Sequence, residues 1–515
     1  MAVAGNNRRF DPRATEPLRL LAEQALSRTA GAPLVPGNQV RLLKNARENY
    51  PAWLAAIAAA QRTLFFENYI IENDPVGQRF VDALCERARA GVQVRVIYDW
   101  FGGLGLGSRR LLAPLIEAGA ELRVFNKPWI GSPFGWLQRD HRKMMAVDGR
   151  IGYVSGLCVS ARWEGDPARS VAPWRDTGIE ITGPAVTDLE RAFAQVWATT
   201  GAPVPESAYA DASALTRTGD TTLRVMANQP NHANLYRLDQ LIATMATRTL
   251  WLTDAYYVGM VSYVQALRAA AQDGVDVRLL VPGVSNLLAV STLSRAGYRS
   301  LLEAGVRVFE WNGPMLHAKT AVADGLWARV GSTNLNITSW IGNYELDVAI
   351  EDANFAAQME ALYEEDLTNA TEIVLSTQNR VRPAITSKSR RAQHGRRSRG
   401  HFRGSASRAA AGALRIGNAV GAAMSNRREL GPAEAGIMVC VAVVTLALVA
   451  VSLLWPLALV LPLSVLAVWI AMSLLVRAYL LRRHGQHESA PAPREGDQNS
   501  DQNSDQKPTP KARSK

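Results

Sequence analysis

Two segments of the chain contain the same three residue types at the same spacing, and these residue types can act together on a phosphate ester. Each reads His-x-Lys-x-x-x-x-Asp, and the two histidines are 176 positions apart. The segment HRKMMAVD holds His141, Lys143 and Asp148, and the segment HAKTAVAD holds His317, Lys319 and Asp324. One copy of so short a pattern is weak, whereas two copies indicate a duplicated site.

The residue types of the repeat suit attack on an anionic phosphodiester. One imidazole can attack phosphorus and form a covalent phosphohistidine. The other can protonate the leaving alkoxide and later deprotonate the incoming nucleophile. The ammonium groups of Lys143 and Lys319 can stabilise the charge that develops on the non-bridging oxygens. Because these cations are part of the chain, we expect neither a metal ion nor any other cofactor.

The segments around the motifs repeat as well, which indicates two similar halves. AGVQVRVIYD (90–99) resembles DGVDVRLLVP (273–282), and LIEAGAELRVF (115–125) resembles LLEAGVRVFEW (301–311). The β-branched runs VQVRVIY and VDVRLLV predict strands, and QRFVDALCERARA and SYVQALRAAAQ have helical periodicity. Alternating strands and helices predict an α/β fold, with two pseudo-twofold-related α/β/α halves. We place each motif on a strand, where its histidine and lysine would share a face.

The paired motifs and the segments after them resemble the phospholipase D superfamily, and within it most closely the bacterial cardiolipin synthases. The resemblance covers roughly residues 40–375 and rests on three segments: HRKMMAVDGRIGYVSG, WRDTGIEITGP (174–184) and HAKTAVADGLWARVGSTNLNITSW (317–340). It implies that His141 is the nucleophile and His317 the general acid and base. It also implies that Asp148 and Asp324 brace their own strands rather than contact the substrate.

The same resemblance assigns the supporting residues. Ser332 and Asn334 match a GSxN segment whose asparagine contacts phosphate, and Glu345 matches an acid that hydrogen-bonds a catalytic histidine. Asp176 takes the corresponding place in the first half. The first half departs from the pattern at Cys158, which stands where the family has asparagine. A thiol is a poorer donor than an amide, so we expect an asymmetric phosphate pocket.

The C-terminal region predicts attachment to a membrane. Residues 435–476 contain no charged side chain. A run of this length is enough for two membrane-spanning helices of ~20 residues each. Pro456 and Pro462 predict a turn, and therefore a transmembrane hairpin with spans near 435–455 and 459–477. Arginines flank both ends, so both ends should be cytoplasmic. This predicts a bacterial inner-membrane protein whose catalytic part is on the cytoplasmic side.

Charge and cysteine content narrow the possible partners. The net charge of the chain is +11. The segment from Lys388 to Arg428 contains eleven Lys and Arg residues and no acidic residue, so this segment alone equals the whole excess of positive charge. A basic nucleic-acid-binding surface on the rest of the chain is therefore not indicated. Beside a membrane, that segment would instead attract anionic lipid, although it could equally be a solvated tether. The three cysteines lack the spacing of a zinc site.

The chain thus divides into regions of different composition. These are an N-terminal segment (1–40), a first half (41–205), a second half (206–380), a basic linker with a possible interfacial helix (381–432), the hairpin (433–478) and a tail that we expect to be disordered (479–515).

Three functions are compatible with these features. The leading hypothesis is a membrane-bound transphosphatidylase that makes cardiolipin from phosphatidylglycerol and a second phospholipid. A phospholipase D that releases phosphatidic acid would use the same chemistry with water. A non-catalytic lipid-binding scaffold would need the basic linker and the hairpin but not the histidines. A nuclease is disfavoured because a membrane anchor does not help a protein reach DNA. The sequence does not predict the oligomeric state.

Overall fold

The computed structural model describes residues 23–105, 107–128, 138–167, 170–209, 216–286, 288–375, 381–383 and 456–488, with isolated positions between 439 and 454. Residues 384–432 of the predicted basic linker, residues 489–515 of the predicted tail and most of the first predicted span lie outside these residues, whereas residues 479–488 of the predicted tail are helical. The described C-terminal helix runs from Pro456 to Glu488 without a break at Pro462. Among the described residues, no helix combines the length and apolar character that crossing a membrane requires.

The first half alternates strands and helices. Its strands are β1 (Val35–Lys44), β2 (Thr63–Asn68), β3 (Gln93–Asp99), β4 (Glu121–Phe125), β5 (Arg139–Asp140), β6 (Lys143–Val147), β7 (Ile151–Ser155) and β8 (Thr177–Thr182). Its helices are α1 (Asn45–Ala59), α2 (Pro75–Arg89), α3 (Ser108–Glu117), α4 (Ala161–Glu164) and α5 (Val186–Ala198). The strand and helix predicted at 92–98 and 78–90 are confirmed as β3 and α2.

The second half has the same succession. Its strands are β9 (Thr221–Asn228), β10 (Thr249–Thr253), β11 (Asp276–Pro282), β12 (Arg307–Trp311), β13 (Thr320–Ala323), β14 (Trp327–Gly331), β15 (Asn343–Glu351), β16 (Ala370–Leu375) and β17 (Val381–Pro383). Its helices are α6 (Asn234–Met245), α7 (Val261–Gln272), α8 (Leu288–Leu302) and α9 (Ala353–Leu367), with a π-helical turn at Thr338–Gly342. The C-terminal helix at 456–488 is α10.

Strand pairing repeats between the halves. The first sheet has the order β4-β3-β2-β6-β7-β8-β1, with β2, β3 and β4 parallel and the remaining pairs antiparallel. The second sheet has the matching order β12-β11-β10-β13-β14-β15-β9. The equivalent strands β1 and β9 pair antiparallel where the sheets meet. The α/β class with a mixed sheet is thus confirmed.

The apolar core has a central part between the two halves. Phe65 of β2 stacks on Phe193 of α5 with ring centroids 4.8 Å apart, in the same buried cluster as Leu280 of β11 and Phe355 of α9. Each half also has an outer core beneath its other helices. Because the central cluster contains side chains of both halves, the two motifs are held in a fixed relation to each other.

Local sequence explains where the elements begin. Asp74 caps α2 by accepting a hydrogen bond from the Gly77 N–H at 2.9 Å, and Pro75 occupies the first helical position. Between β6 and β7, Asp148 and Gly149 have φ of 55° and 66°, and the Arg150 N–H closes the turn by donating to the Val147 carbonyl at 3.0 Å. The Asp-Gly sequence of each motif is therefore the turn that reverses the chain after the motif strand.

Candidate active site

The backbone brings each histidine to the acid-bearing strand of the other half. Asp140 pairs in parallel with Tyr344, and the His141 N–H donates to the Tyr344 carbonyl at 2.9 Å. On the other side the His317 N–H donates to the Arg175 carbonyl at 2.7 Å. The prediction that both histidines lie on strands is wrong, because β6 begins at Lys143 and β13 at Thr320. The chain before each strand is instead engaged by the opposite half.

Glu345 lies against His141. Its Oε2 is 2.9 Å from His141 Nδ1, and its other partners are the Ser332 hydroxyl at 2.5 Å and the Asn343 amide at 3.1 Å. Burial raises the pKa of the Glu345 carboxyl to about 7, although nearby Lys143 and these hydrogen bonds oppose the rise. An acceptor at Nδ1 fixes the imidazole with its proton on that nitrogen. The Nε2 atom of His141 is then left with its lone pair.

Asp176 serves His317 in the same way. Its Oδ2 lies 2.8 Å from His317 Nδ1 and also accepts the indole N–H of Trp163 at 2.8 Å, while its Oδ1 accepts the Thr177 N–H at 2.8 Å. A Cβ atom at Gly156 would lie 2.2 Å from Asp176 Oδ1, so glycine is needed where the second half has a serine. The carboxylate is thus held by donors from three directions.

The ionisation states of this pair are set by burial and by neighbouring charges. Burial lowers the pKa of His317 to about 3, and Lys319 acts in the same direction. For Asp176, burial favours the acid form, but His317, Lys319 and the Trp163 hydrogen bond outweigh it and the pKa falls below its usual value. At neutral pH the ligand-free site therefore holds a neutral imidazole beside a carboxylate.

The two lysines belong to one cluster. Lys319 Nζ lies 2.9 Å and 3.1 Å from the ring nitrogens of His317, and Lys143 Nζ donates to the His141 carbonyl. Burial, aided by Lys143 of the other half, lowers the pKa of Lys319 to about 8. Lys143 also acts on the pKa of His317 and of Glu345. The charge of Lys143 in the first half therefore acts on ionisable groups of the second half.

The predicted phosphate-binding segments are asymmetric. Within the described part of the chain, the Asn334 amide nitrogen reaches the Ser339 hydroxyl at the long distance of 3.5 Å, which leaves it able to donate to a ligand. Cys158 occupies the matching position of the first half and is buried. Burial raises the pKa of its thiol although both lysines oppose this. It therefore stays protonated, with only a weak S–H donor to offer.

The motif aspartates lie away from this cluster. Asp148 accepts the backbone N–H groups of Gln61, Arg62 and Thr63 at 2.7–2.9 Å. Asp324 accepts the equivalent N–H groups at the start of β10, those of residues 247, 248 and 249, at 2.7–2.9 Å. Asp148 follows Lys143 by five residues of strand, roughly 16 Å. These carboxylates join neighbouring strands and do not contact the histidines.

Two buried arginines that the motifs do not identify hold the pairs in place. Arg142 donates to the carbonyls of Glu345, Ala192 and Asn228, which belong to β15, α5 and β9. Arg175 forms a bidentate ion pair with Asp366 of α9, with both contacts at 2.8 Å. Each arginine precedes or follows a site residue directly in the sequence. That adjacency was the available signal, but it does not show where a long side chain points.

Metal binding has no support in the described part of the chain. No group of three or more His, Cys, Asp or Glu side chains there is arranged to hold a metal ion. The cations of the site are the lysines and arginines.

Comparison with known proteins agrees with the geometry. The sequence matches the family described as "Cardiolipin synthase, PLD-like domain" over residues 53–197 and 238–367. It is 33% identical to cardiolipin synthase A of Pseudomonas aeruginosa over 368 residues, covering 70% of this chain and 73% of that protein. It is 30% identical to the cardiolipin synthase of Alkalihalophilus pseudofirmus over 351 residues, covering 67% and 69%.

A solved structure shows the same fold. The phosphatidylserine synthase of Haemophilus influenzae aligns with a TM-score of 0.55 at 14% identity, over 70% of this chain and 93% of that one.

The duplicated α/β fold and the paired motifs define a phosphatidyltransferase of the phospholipase D superfamily. Within that class, the chain belongs to the phospholipase D-like cardiolipin synthase family.

Proposed function

We propose that the protein transfers a phosphatidyl group from one phosphatidylglycerol to the hydroxyl of a second phospholipid, giving cardiolipin and glycerol. The observation that carries this proposal is the reciprocal pairing of His141 with Glu345 and of His317 with Asp176, beside two lysines. Two oriented imidazoles and two cations are what a metal-free exchange of one phosphodiester for another requires. Relatives named cardiolipin synthase favour this function over hydrolysis or a scaffold.

In the first step, Nε2 of His141 attacks phosphorus and the bond from phosphorus to the glycerol oxygen breaks. A proton from Nε2 of His317 passes to that oxygen, so glycerol leaves and phosphatidyl-histidine remains. His317 is neutral in the empty site, but a bound phosphodiester anion favours its protonated form. Glu345 stabilises the positive charge that develops on the His141 ring.

In the second step, a hydroxyl of another lipid attacks the phosphorus of the intermediate. Nε2 of His317 removes the proton from this hydroxyl, and the bond from phosphorus to His141 breaks. His317 is then protonated again and the cycle is complete. One phosphodiester replaces another, so no nucleotide is consumed. General acid–base assistance of this kind typically contributes ~10²–10⁴-fold.

The remaining site residues would stabilise the charge that develops during these steps or hold the reacting groups in position. Lys143 and Lys319 would bind the non-bridging oxygens, where each well-placed donor contributes ~3 kcal/mol to the transition state. Asn334 would donate to the same phosphate, and Ser332 holds Glu345 in position. Asp148 and Asp324 fix the ends of the motif strands.

We propose that the protein acts at the bacterial inner membrane with its catalytic part on the cytoplasmic side. The uncharged run at 435–476 and its flanking arginines support a C-terminal hairpin. Large apolar side chains along α10 are also exposed, among them Leu457, Leu461 and Leu474 at 64–75%. Within the described residues these side chains are not covered by apolar neighbours, and such a helix favours lipid as its surroundings. Attachment would raise the local concentration of lipid substrate.

Activity on defined vesicles tests the proposal. Purified full-length protein is incubated with phosphatidylglycerol vesicles and EDTA, and cardiolipin, phosphatidic acid and glycerol are measured. We expect cardiolipin and glycerol in equal amounts. Phosphatidic acid as the main product would instead identify a phospholipase D. Absence of all three products, together with intact cellular function of a His317→Ala variant, would identify a scaffold.

A further inference from the structure

The two histidines of the site have different surroundings. Three aromatic rings surround His317, with centroids 5.2 Å (Trp163), 5.7 Å (Trp174) and 5.8 Å (Tyr256) from the imidazole. Tyr256 also packs with Val258, Met315 and Trp174 in a small apolar cluster that is separate from the main cores. We call these four residues, Trp174, Tyr256, Val258 and Met315, the apolar collar of His317.

The surroundings of His141 differ. The ring of Tyr69 lies 5.0 Å from its imidazole, and its side chain is 12% exposed compared with 6% for His317. The positions directly before the histidines differ as well, since Arg139 and Asp140 precede His141, whereas Met315 and Leu316 precede His317. The sequence that leads to His317 is therefore the more apolar of the two.

We propose that the apolar collar sets the ratio of transfer to hydrolysis by excluding water from the attack position beside His317. This inference rests on the proposed function, in which His317 deprotonates the incoming hydroxyl. A water molecule at that position needs several hydrogen-bond partners. On the collar side, Val258 and Met315 offer no such partner and the Tyr256 hydroxyl donates to Asn286 at 3.0 Å, so a water there would be bonded mainly from the side of His317 and Lys319.

A lipid hydroxyl does not have this difficulty. It is attached to the carbon atoms of a headgroup glycerol, and their C–H surface can contact the collar, which water cannot do. Water, at far higher concentration, would otherwise consume the phosphatidyl-histidine. The collar thus favours a hydroxyl that is attached to carbon atoms, rather than water, as the acceptor.

Trp174 is the collar residue best suited to a test. It is partly exposed, whereas the other three are buried, so it forms the outer edge of the collar. Its ring lies 4.6 Å from that of Trp163, which donates to Asp176. Removing the ring would open the side of His317 to solvent while Trp163 still holds Asp176.

The experiment compares full-length wild type, Trp174→Ala and Trp174→Phe on phosphatidylglycerol vesicles, with the ratio of phosphatidic acid to cardiolipin as the readout. We expect Trp174→Ala to raise this ratio roughly three- to tenfold, because water gains access to the intermediate. Trp174→Phe keeps an apolar ring and should stay within about twofold of wild type. Trp327→Ala is the control for lost stability, since Trp327 lies at the far end of β14 in the outer core.

The outcomes separate this inference from the proposed function. Wild type that makes neither product refutes the proposed function itself. Wild type that makes cardiolipin, with an unchanged ratio in Trp174→Ala, refutes the collar alone, as does a ratio that rises equally in Trp327→Ala. If Trp174→Ala does not fold, Val258→Ser leaves both tryptophans in place and must raise the ratio instead. An unchanged ratio in that variant overturns the inference.

Discussion

Glu345 Oε2 lies 2.9 Å from Nδ1 of His141, although 204 residues separate them in the chain. Asp176 and His317 form the converse contact at 2.8 Å across 141 residues. Each imidazole is therefore oriented by a carboxylate of the opposite half. Neither half contains a complete histidine–acid pair by itself, which gives a physical reason for both halves to be present in one chain.

The pH dependence of kcat/KM should report the ionisation of Glu345. Its pKa of about 7 lies above the usual value, so kcat/KM should increase as pH rises through about 7 and the carboxylate forms beside His141. Glu345→Gln keeps the shape without the charge. We expect it to lower kcat about 10²–10⁴-fold and to remove this limb of the profile. A limb that persists unchanged in Glu345→Gln would assign the titration to another group.

The indole of Trp163 should act through Asp176. Because it donates to the oxygen that also holds His317 Nδ1, Trp163→Phe removes one hydrogen bond of about 1–2 kcal/mol from that carboxylate. We expect kcat to fall about tenfold with little change in KM. The matched variant Trp340→Phe removes an indole donor to Asp239, outside the site. An equal loss of kcat in both variants would indicate general destabilisation.

Cys158 should limit phosphate binding in the first half. Replacing its weak donor with an amide in Cys158→Asn adds a hydrogen bond to the substrate phosphate, worth about 1 kcal/mol. We expect KM for phosphatidylglycerol to fall about fivefold, while Cys158→Ala leaves it near the wild-type value. Steady-state kinetics on vesicles measure both. A higher KM in Cys158→Asn than in Cys158→Ala would show that the position does not face phosphate.

Asp148 should matter for stability rather than for catalysis. It accepts three backbone N–H groups at the start of β2, so Asp148→Ala should lower the free energy of unfolding by about 2–3 kcal/mol. The remaining folded enzyme should keep its KM. Denaturant unfolding and active-site-normalised kinetics separate the two effects. A large loss of kcat at full folding would contradict the placement of this carboxylate away from the site.

Asp324 should make the free energy of unfolding depend on pH. Burial favours its acid form, but the N–H groups of residues 247–249 outweigh this and hold the pKa of Asp324 below its usual value. The stabilisation is therefore complete above the unfolded-state pKa near 3.8 and is lost as pH falls through the lower folded-state value. Acid unfolding should begin at higher pH in Asp324→Asn than in wild type. Identical acid transitions would be evidence against this contribution.

Spacing and periodicity were sufficient to predict the α/β class and the strands at residues 92–98 and 275–281, whereas Asp176 and Glu345 were identified only through the resemblance to a known family. Those features depend on local sequence and on a repeat that is visible in one chain. The exchange of acids between the halves was not predicted, because Asp176 is closer in sequence to His141 than to His317. It depends on the pairing of Asp140 with Tyr344, a contact between halves that no local pattern encodes.

The roles of Arg142, Trp163 and Arg175 were missed for a related reason. Each is a long side chain that reaches a group on another element: Arg142 reaches backbone carbonyls, Trp163 reaches Asp176, and Arg175 reaches Asp366. Predicting such contacts requires the relative placement of sheet and helix, which packing of the central core determines. The predicted membrane hairpin remains a prediction, since most of its first span lies outside the described residues.

Mass spectrometry of the trapped intermediate tests most directly whether both halves form a single site. Protein turning over phosphatidylglycerol is quenched in alkaline denaturant, which preserves phosphohistidine, and the modified residue is mapped in wild type, His141→Ala and His317→Ala. A single site predicts at most one phosphatidyl group per chain, on His141, absent from His141→Ala and strongly reduced in His317→Ala, where the leaving glycerol lacks its proton donor. Two modified histidines per chain, or cardiolipin synthesis that survives in either variant, would contradict it.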